Sequence, residues 1–205
     1  MRLAKFVSYI AHPIFITTYM MAFALFQKNS YLYYTITATG RWFFLGVTAI
    51  LTILAPLFSV GYLLYTKQLS SIEMKDRKER ILPMAITVAY TFGLYYLFST
   101  FSMPSVIMAI IGVGVVATVM TLFITFFWKI STHLVAFSGL TAMVIVLSAK
   151  IHPVPNAVII GLFFFTGIIG WARLRQNAHS LSQVLVGWAT GFSISYFAML
   201  FLLSS

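Results

Sequence analysis

The chain contains no cysteine, which excludes thiol nucleophiles, iron–sulfur clusters and structural disulfides. Acidic side chains are nearly as scarce, with three against thirteen basic ones. Charged residues of both signs make up 8% of the sequence, far below the roughly 25% of a soluble domain. Apolar residues take their place: 61% of the 205 positions are hydrophobic and the mean hydropathy is +0.98. A hydrocarbon core about 30 Å thick needs roughly 20 apolar residues per helix, so six or seven crossings use about 120–140 residues and leave only short loops. The fold class read from this is all-α, a polytopic integral membrane helical bundle of six to seven transmembrane helices. Residues 1–205 form a single transmembrane domain, with no room for a nucleotide-binding or zinc-ribbon module.

Seven apolar segments are expected at roughly 6–27, 42–66, 83–101, 105–128, 133–149, 155–172 and 181–203. Their length and lack of alternation exclude the strands of a lipid-facing barrel. A charged connector runs from Lys67 to Pro83, and tight turns are expected at Ser102-Met103-Pro104-Ser105 and at His152-Pro153-Val154-Pro155. The first segment is too long for the apolar region of a signal peptide and no small-residue cleavage site follows it, so it reads as a retained helix.

The net charge of +10 is explained by basic loops beside apolar spans, a membrane-orientation signal, without invoking nucleic acid. With seven spans, Arg2, Lys5, Lys67, Lys75, Arg77, Lys78, Arg80, Lys129, Arg173 and Arg175 share the N-terminal face, whereas Lys28, Arg41 and Lys150 lie on the other. That bias places the N-terminal face in the cytoplasm, as in a bacterial-type inner membrane.

All three carboxylates, Glu73, Asp76 and Glu79, sit in the 67–82 connector among five cations, with which they are expected to pair. Metal-dependent prenyl transfer or alcohol phosphotransfer draws carboxylates from several helices, so no metal and no cofactor is expected. What remains for chemistry is cationic and imidazole-based: Arg80 before the third span, His133 opening the fifth, Arg173 closing the sixth and His179 opening the seventh. Arginine suits bidentate phosphate recognition, and histidine serves as nucleophile or general acid near neutral pH. Taken singly, such residues also anchor helix ends; the argument for a phosphate site rests on their joint order and spacing.

That order carries a resemblance. Ala172-Arg173-Leu-Arg-Gln-Asn-Ala-His179-Ser-Leu-Ser-Gln183, continuing to Gly187 and Gly191, resembles the third motif of the type 2 phosphatidic acid phosphatase superfamily, S-R-x5-H-x3-D. Ala172 stands at its serine and Gln183 at its aspartate. Ile130-Ser131-Thr132-His133 resembles the second motif, P-S-G-H, matching at Ser131 and His133. The first motif, K-x6-R-P, matches at Arg80, with Glu73 at the lysine and Ile81 at the proline; Lys75, Lys78 and Pro83 are nearby but out of register. The resemblance covers about residues 75–191. It implies His179 as nucleophile, His133 as general acid, and Arg173, Arg80 and Ser131 as phosphate ligands, with Lys75 and Lys78 as further candidates. Gln183, at i+4 from His179, lies on the same helical face, where its Oε1 accepts from Nδ1–H and leaves Nε2 free.

Other residues have simpler expected roles. His12, before Pro13 inside the first span, is expected to bind carbonyls that the proline loosens, the alternative being that it approaches the site, since ionisable groups in spans usually face the bundle interior. His152 belongs to a loop on the opposite face. Gly187-x3-Gly191 allows a close intramolecular helix approach, aromatics such as Tyr31, Trp42 and Trp171 fit interfacial belts, and the 10 methionines fill the core. The function expected is a metal-independent phosphatase acting on a phosphomonoester or diphosphate of a membrane lipid. The alternatives are a non-enzymatic protein that binds or moves an anionic lipid or small solute and, more remotely, a selective pore.

Overall fold

A computed structural model of the chain describes residues 2–28, 30–72, 74 and 76–204. Glu73 and Lys75, both given places around the first motif, lie outside the described residues. The chain is an all-α bundle without strands among the described residues. The first apolar stretch forms α1 (Arg2–Ile10) and α2 (Ile16–Phe26), separated by a 3₁₀ turn at Pro13–Phe15. A short α3 (Tyr31–Thr35) precedes α4 (Ala38–Ala49), which continues through a wide turn at Ile50–Leu54 into α5 (Ala55–Tyr65). Then follow α6 (Arg77–Ser99), α7 (Ser105–Phe127), α8 (Thr132–Lys150), α9 (Asn156–Arg175) and α10 (Leu181–Ser204). Counting α1–α2 and α4–α5 each as one, seven helices are long and apolar enough to cross a membrane, as an integral membrane protein requires.

Prolines shape the two composite spans. Pro13 lacks the N–H that would continue α1, and the chain tightens into 3₁₀ before α2 starts. Pro56 likewise has no N–H to return to the preceding turn, and the wide turn of Ile50–Leu54 lies just ahead of it. The sixth helix corrects an expected boundary. It begins at Arg77, inside the charged connector, because Asp76 caps it by accepting from Lys78 N at 3.1 Å. Pro83 therefore lies within α6, two turns from its start. Arg77 Nη1 then donates to Phe126 O at 2.5 Å, satisfying a carbonyl of the last turn of α7.

The centre of the bundle is α8, buried along most of its length, with α10, α9 and α7 around it. Its contact with α10 is made of small residues. A Cβ on Gly191 would run into the carbonyl oxygen of Val135, and one on Gly187 would stand 2.9 Å from Ser131 O. On the facing side, a Cβ on Gly139 would stand 2.6 Å from Ser195 Oγ. The Gly187/Gly191 pair is thus spent on intramolecular contact, and it draws the first turn of α10 against the first turn of α8.

Candidate functional site

The spacing of Arg173 and His179 follows from how α9 ends. Asn177 adopts a left-handed conformation (φ 52°), Ala178 N donates to Arg173 O at 3.2 Å, and Asn177 N donates to Leu174 O at 2.9 Å. This is a Schellman turn with asparagine at the left-handed position. It reverses the chain so that His179 comes back towards the last turn of α9. Immediately after it, Ser180 and Gln183 form a capping box for α10. Ser180 Oγ accepts from Gln183 N at 3.4 Å, and Gln183 Oε1 accepts from Ser180 N at 3.3 Å. The same Oε1 lies 3.0 Å from His179 Nδ1 and accepts its proton. An oxygen already facing one N–H fixes the tautomer of the ring beside it. His179 therefore carries its proton on Nδ1, and its Nε2 lone pair is buried without a partner in the chain.

Backbone contact brings the second motif to this turn, since Ser131 N donates to Gln183 O at 3.3 Å. Ser131 is fully buried and its Oγ has no partner. Two residues on, the buried His133 donates from Nε2 to Ser8 O at 3.2 Å, and its Nδ1 is unpartnered. The N-terminal helix thus orients this ring. Gln176 holds that helix in place, donating from Nε2 to Ala4 O at 2.9 Å and Ser8 Oγ at 2.8 Å. Neither Ser8 nor Gln176 has a sequence signal, because their roles arise only when the two ends of the chain meet.

His12 corrects its expected role. Its Nδ1 accepts from Ile14 N at 3.3 Å, capping the 3₁₀ turn instead of binding a loosened carbonyl. Its ring stands edge-on to that of His133, with centroids 5.4 Å apart and planes at 84°.

Electrostatically the cluster is dominated by cations. Arg173 acts on His12, His133, His179 and Lys129, and Arg80 acts on Arg173, His179 and Lys129. Arg80 is braced by its Nε donating to Met74 O at 2.9 Å, and Arg173 Nε is buried and unpartnered. The expected pairing of carboxylates with the connector's cations does not occur among the described residues. Asp76 caps α6, and Glu79 Oε1 accepts from Ser70 N at 3.3 Å. Asp76 is drawn to a backbone N–H in the first turn of α6, and Glu79 to one in the connector that follows α5. In consequence burial, followed by the field of Arg80, pushes His179 down to about 4; Arg173 and Lys129 add to this and the Gln183 hydrogen bond opposes it. Lys129 is lowered by burial first and then by Arg80 and Arg173, with Asp76 opposing.

Of the residues proposed from sequence, Arg80, Ser131, His133, Arg173, His179 and Gln183 are thus gathered at one end of the bundle. Lys78 is exposed and contributes only its backbone N–H to the Asp76 cap; Lys129 joins the cluster from the α7–α8 connector, a basic residue that spacing alone did not single out. Among the described residues no three His, Asp or Glu side chains form a metal-ligating group. Comparison of the chain with family models, with curated proteins and with solved structures gave no match.

Proposed function

We propose that this end of the bundle binds the phosphoryl group of a membrane lipid and hydrolyses it, without metal, through a phosphohistidine. One observation carries the reading: Ser131 Oγ, His133 Nδ1, Arg173 Nε and His179 Nε2 are all buried and unpartnered in a cluster whose charges are predominantly positive. Unpaired buried polar groups are costly; a tetrahedral oxyanion would accept from Ser131 Oγ and Arg173 Nε, and a proton carried by it or by the rings would bridge it to His133 Nδ1 and His179 Nε2. His179 Nε2 attacks phosphorus and forms the P–N bond as the P–O bond to the lipid breaks. His133, protonated at Nδ1 while Nε2 stays on Ser8 O, gives that proton to the leaving alkoxide. Water then attacks the phosphohistidine, His133 takes its proton, and the P–N bond returns its electrons to His179. Arg80, Arg173, Lys129 and Ser131 stabilise the equatorial oxygens, which is most of what phosphoryl transfer asks of a protein.

The substrate is read as lipidic because the site terminates a set of apolar spans. The excess of basic residues on the same end supports a cytoplasmic orientation in a bacterial-type inner membrane. Purified protein in mixed micelles is expected to release phosphate from a lipid phosphomonoester or diphosphate in the presence of chelator. Vanadate should inhibit the release and His179→Ala should abolish it. Absence of release from every lipid phosphate tried, or equal release by His179→Ala, overturns the reading. A second reading, an anionic-lipid binder without turnover, is favoured by one feature: Gln183 supplies no negative charge to support a cationic imidazole. It predicts thermal stabilisation by anionic lipid that Arg173→Ala removes, with no phosphate released.

A further inference from the structure

The first apolar stretch is interrupted at a point where an interruption has to be supported. A helix cap at Pro13 needs only an acceptor, and Ser, Thr, Asp or Asn supplies one at the least cost. The residue there is His12, whose Nδ1 does the capping and so leaves a donor at Nε2 in the neutral ring. That ring is set edge-on against His133 at 5.4 Å and in the field of Arg173. Cationic neighbours give no reason to place a third imidazole among them; an anion shared by all of them does. The same segment already serves the site, since Ser8, one turn earlier, holds His133 through its carbonyl.

We infer that His12 is a further ligand of the oxyanion site, its Nε2–H donating to an oxygen of the phosphoryl group held beside His133 and Arg173. The inference rests on the oxyanion reading above but not on turnover. It assigns the break at Pro13 a binding role: the break between α1 and α2 orients a donor onto a ligand otherwise held by α6, α8, α9 and the α9–α10 connector.

The two atoms of the ring can be separated by substitution. His12→Asn keeps an acceptor near the position of Nδ1 and removes the Nε2 donor; His12→Gln places an amide near Nε2 and gives up the cap. Orthovanadate binding to the full-length protein in detergent would be measured by calorimetry, alongside thermal unfolding without ligand. His12→Asn is expected to melt close to the parent yet bind vanadate about tenfold more weakly or worse, the scale of a hydrogen bond to a charged group. His12→Gln is expected to melt lower and to recover part of the affinity. Unchanged vanadate affinity in His12→Asn overturns the inference and makes His12 a cap alone. A parent protein that binds no vanadate, or binds it equally well as Arg173→Ala, overturns the underlying oxyanion reading instead.

Discussion

Gly191→Ala tests the idea that the small-residue crossing of α8 and α10 is what assembles the site. The added methyl would meet the carbonyl oxygen of Val135 and stand 2.5 Å from both Val135 Cα and Ser138 Oγ. Carbon contacts settle at about 3.5–4.0 Å, so the helices must part by roughly 1 Å at their closest point, and two of the three obstacles are backbone atoms that cannot swing aside. Overpacking of this kind costs about 3 kcal/mol, offset by about 1 kcal/mol from the better helix propensity of alanine. Gly167→Ala on α9 is the control, since nothing lies within 4 Å of its Cβ and only the propensity gain of up to about 1 kcal/mol applies. The two variants should differ by about 3 kcal/mol. At roughly 2–4 °C per kcal/mol for a chain of this size, their melting temperatures should differ by about 6–12 °C. Tryptophan fluorescence of the detergent-solubilised proteins would follow the transition. Because the parting also moves Ser131 away from Gln183, vanadate affinity should fall in Gly191→Ala and hold in Gly167→Ala. Melting temperatures within about 2 °C of each other would refute the crossing as described.

Two further outcomes follow from the charge distribution. Because burial and cationic neighbours hold His179 near 4, the folded protein refuses a proton that the unfolded chain accepts between that value and the ordinary 6.5. The resulting stability is fully present above about 6.5 and is lost as the pH falls towards 4, so melting temperatures should decline across that window and His179→Gln should flatten the decline. A ring-nitrogen NMR titration placing His179 near 6.5 would contradict this. For orientation, Ser71→Cys and Ser102→Cys place single thiols in a chain that has none. An impermeant maleimide applied to intact cells should label Ser102→Cys, with Ser71→Cys reacting only after permeabilisation; the reverse pattern would invert the proposed topology.

Long apolar runs were legible because their length and composition determine them locally; the seven helices match the expected segments within a few residues except where caps intervene. A proline and a charge run hide the start of α6 by resembling a connector, although Asp76 followed by Glu79 in the first turn is itself a start signal. Arg41, assigned by span count to the face opposite the N-terminus, is buried in the first turn of α4, with its guanidinium 3.9 Å over the ring of Tyr33 and donating to Ile36 O at 3.1 Å and to Tyr33 O. Nothing in its neighbourhood announces that, because the partner, α3, is too short to show a period. The candidate site was legible where one turn sets it, as in Arg173 to His179. It was not legible where distant segments meet, as with Ser8 and Gln176 on His133, or Lys129 beside Arg80.

Gln183 shows why the two functional readings are closer than they look. As the last residue of a capping box, its side chain must reach back to Ser180 N, and glutamine does this through one oxygen that also receives the His179 proton. The geometry of a nucleophilic imidazole is therefore met by a residue with an independent structural reason to be there. Its charge is not met. An aspartate would set a negative charge against Arg80, Arg173 and Lys129 and would favour the cationic ring that develops as Nε2 bonds to phosphorus. With an amide at 183, Arg80 and Arg173 face no carboxylate among the described residues and Lys129 feels only the field of Asp76, so the ligand is the main anion these cations can meet. On the proposed mechanism this deepens the well for substrate and for released phosphate alike, while withholding stabilisation from the transition state. Since only interactions that strengthen at the transition state raise the rate of the chemical step, the arrangement fits an enzyme that binds oxyanions tightly and turns over slowly.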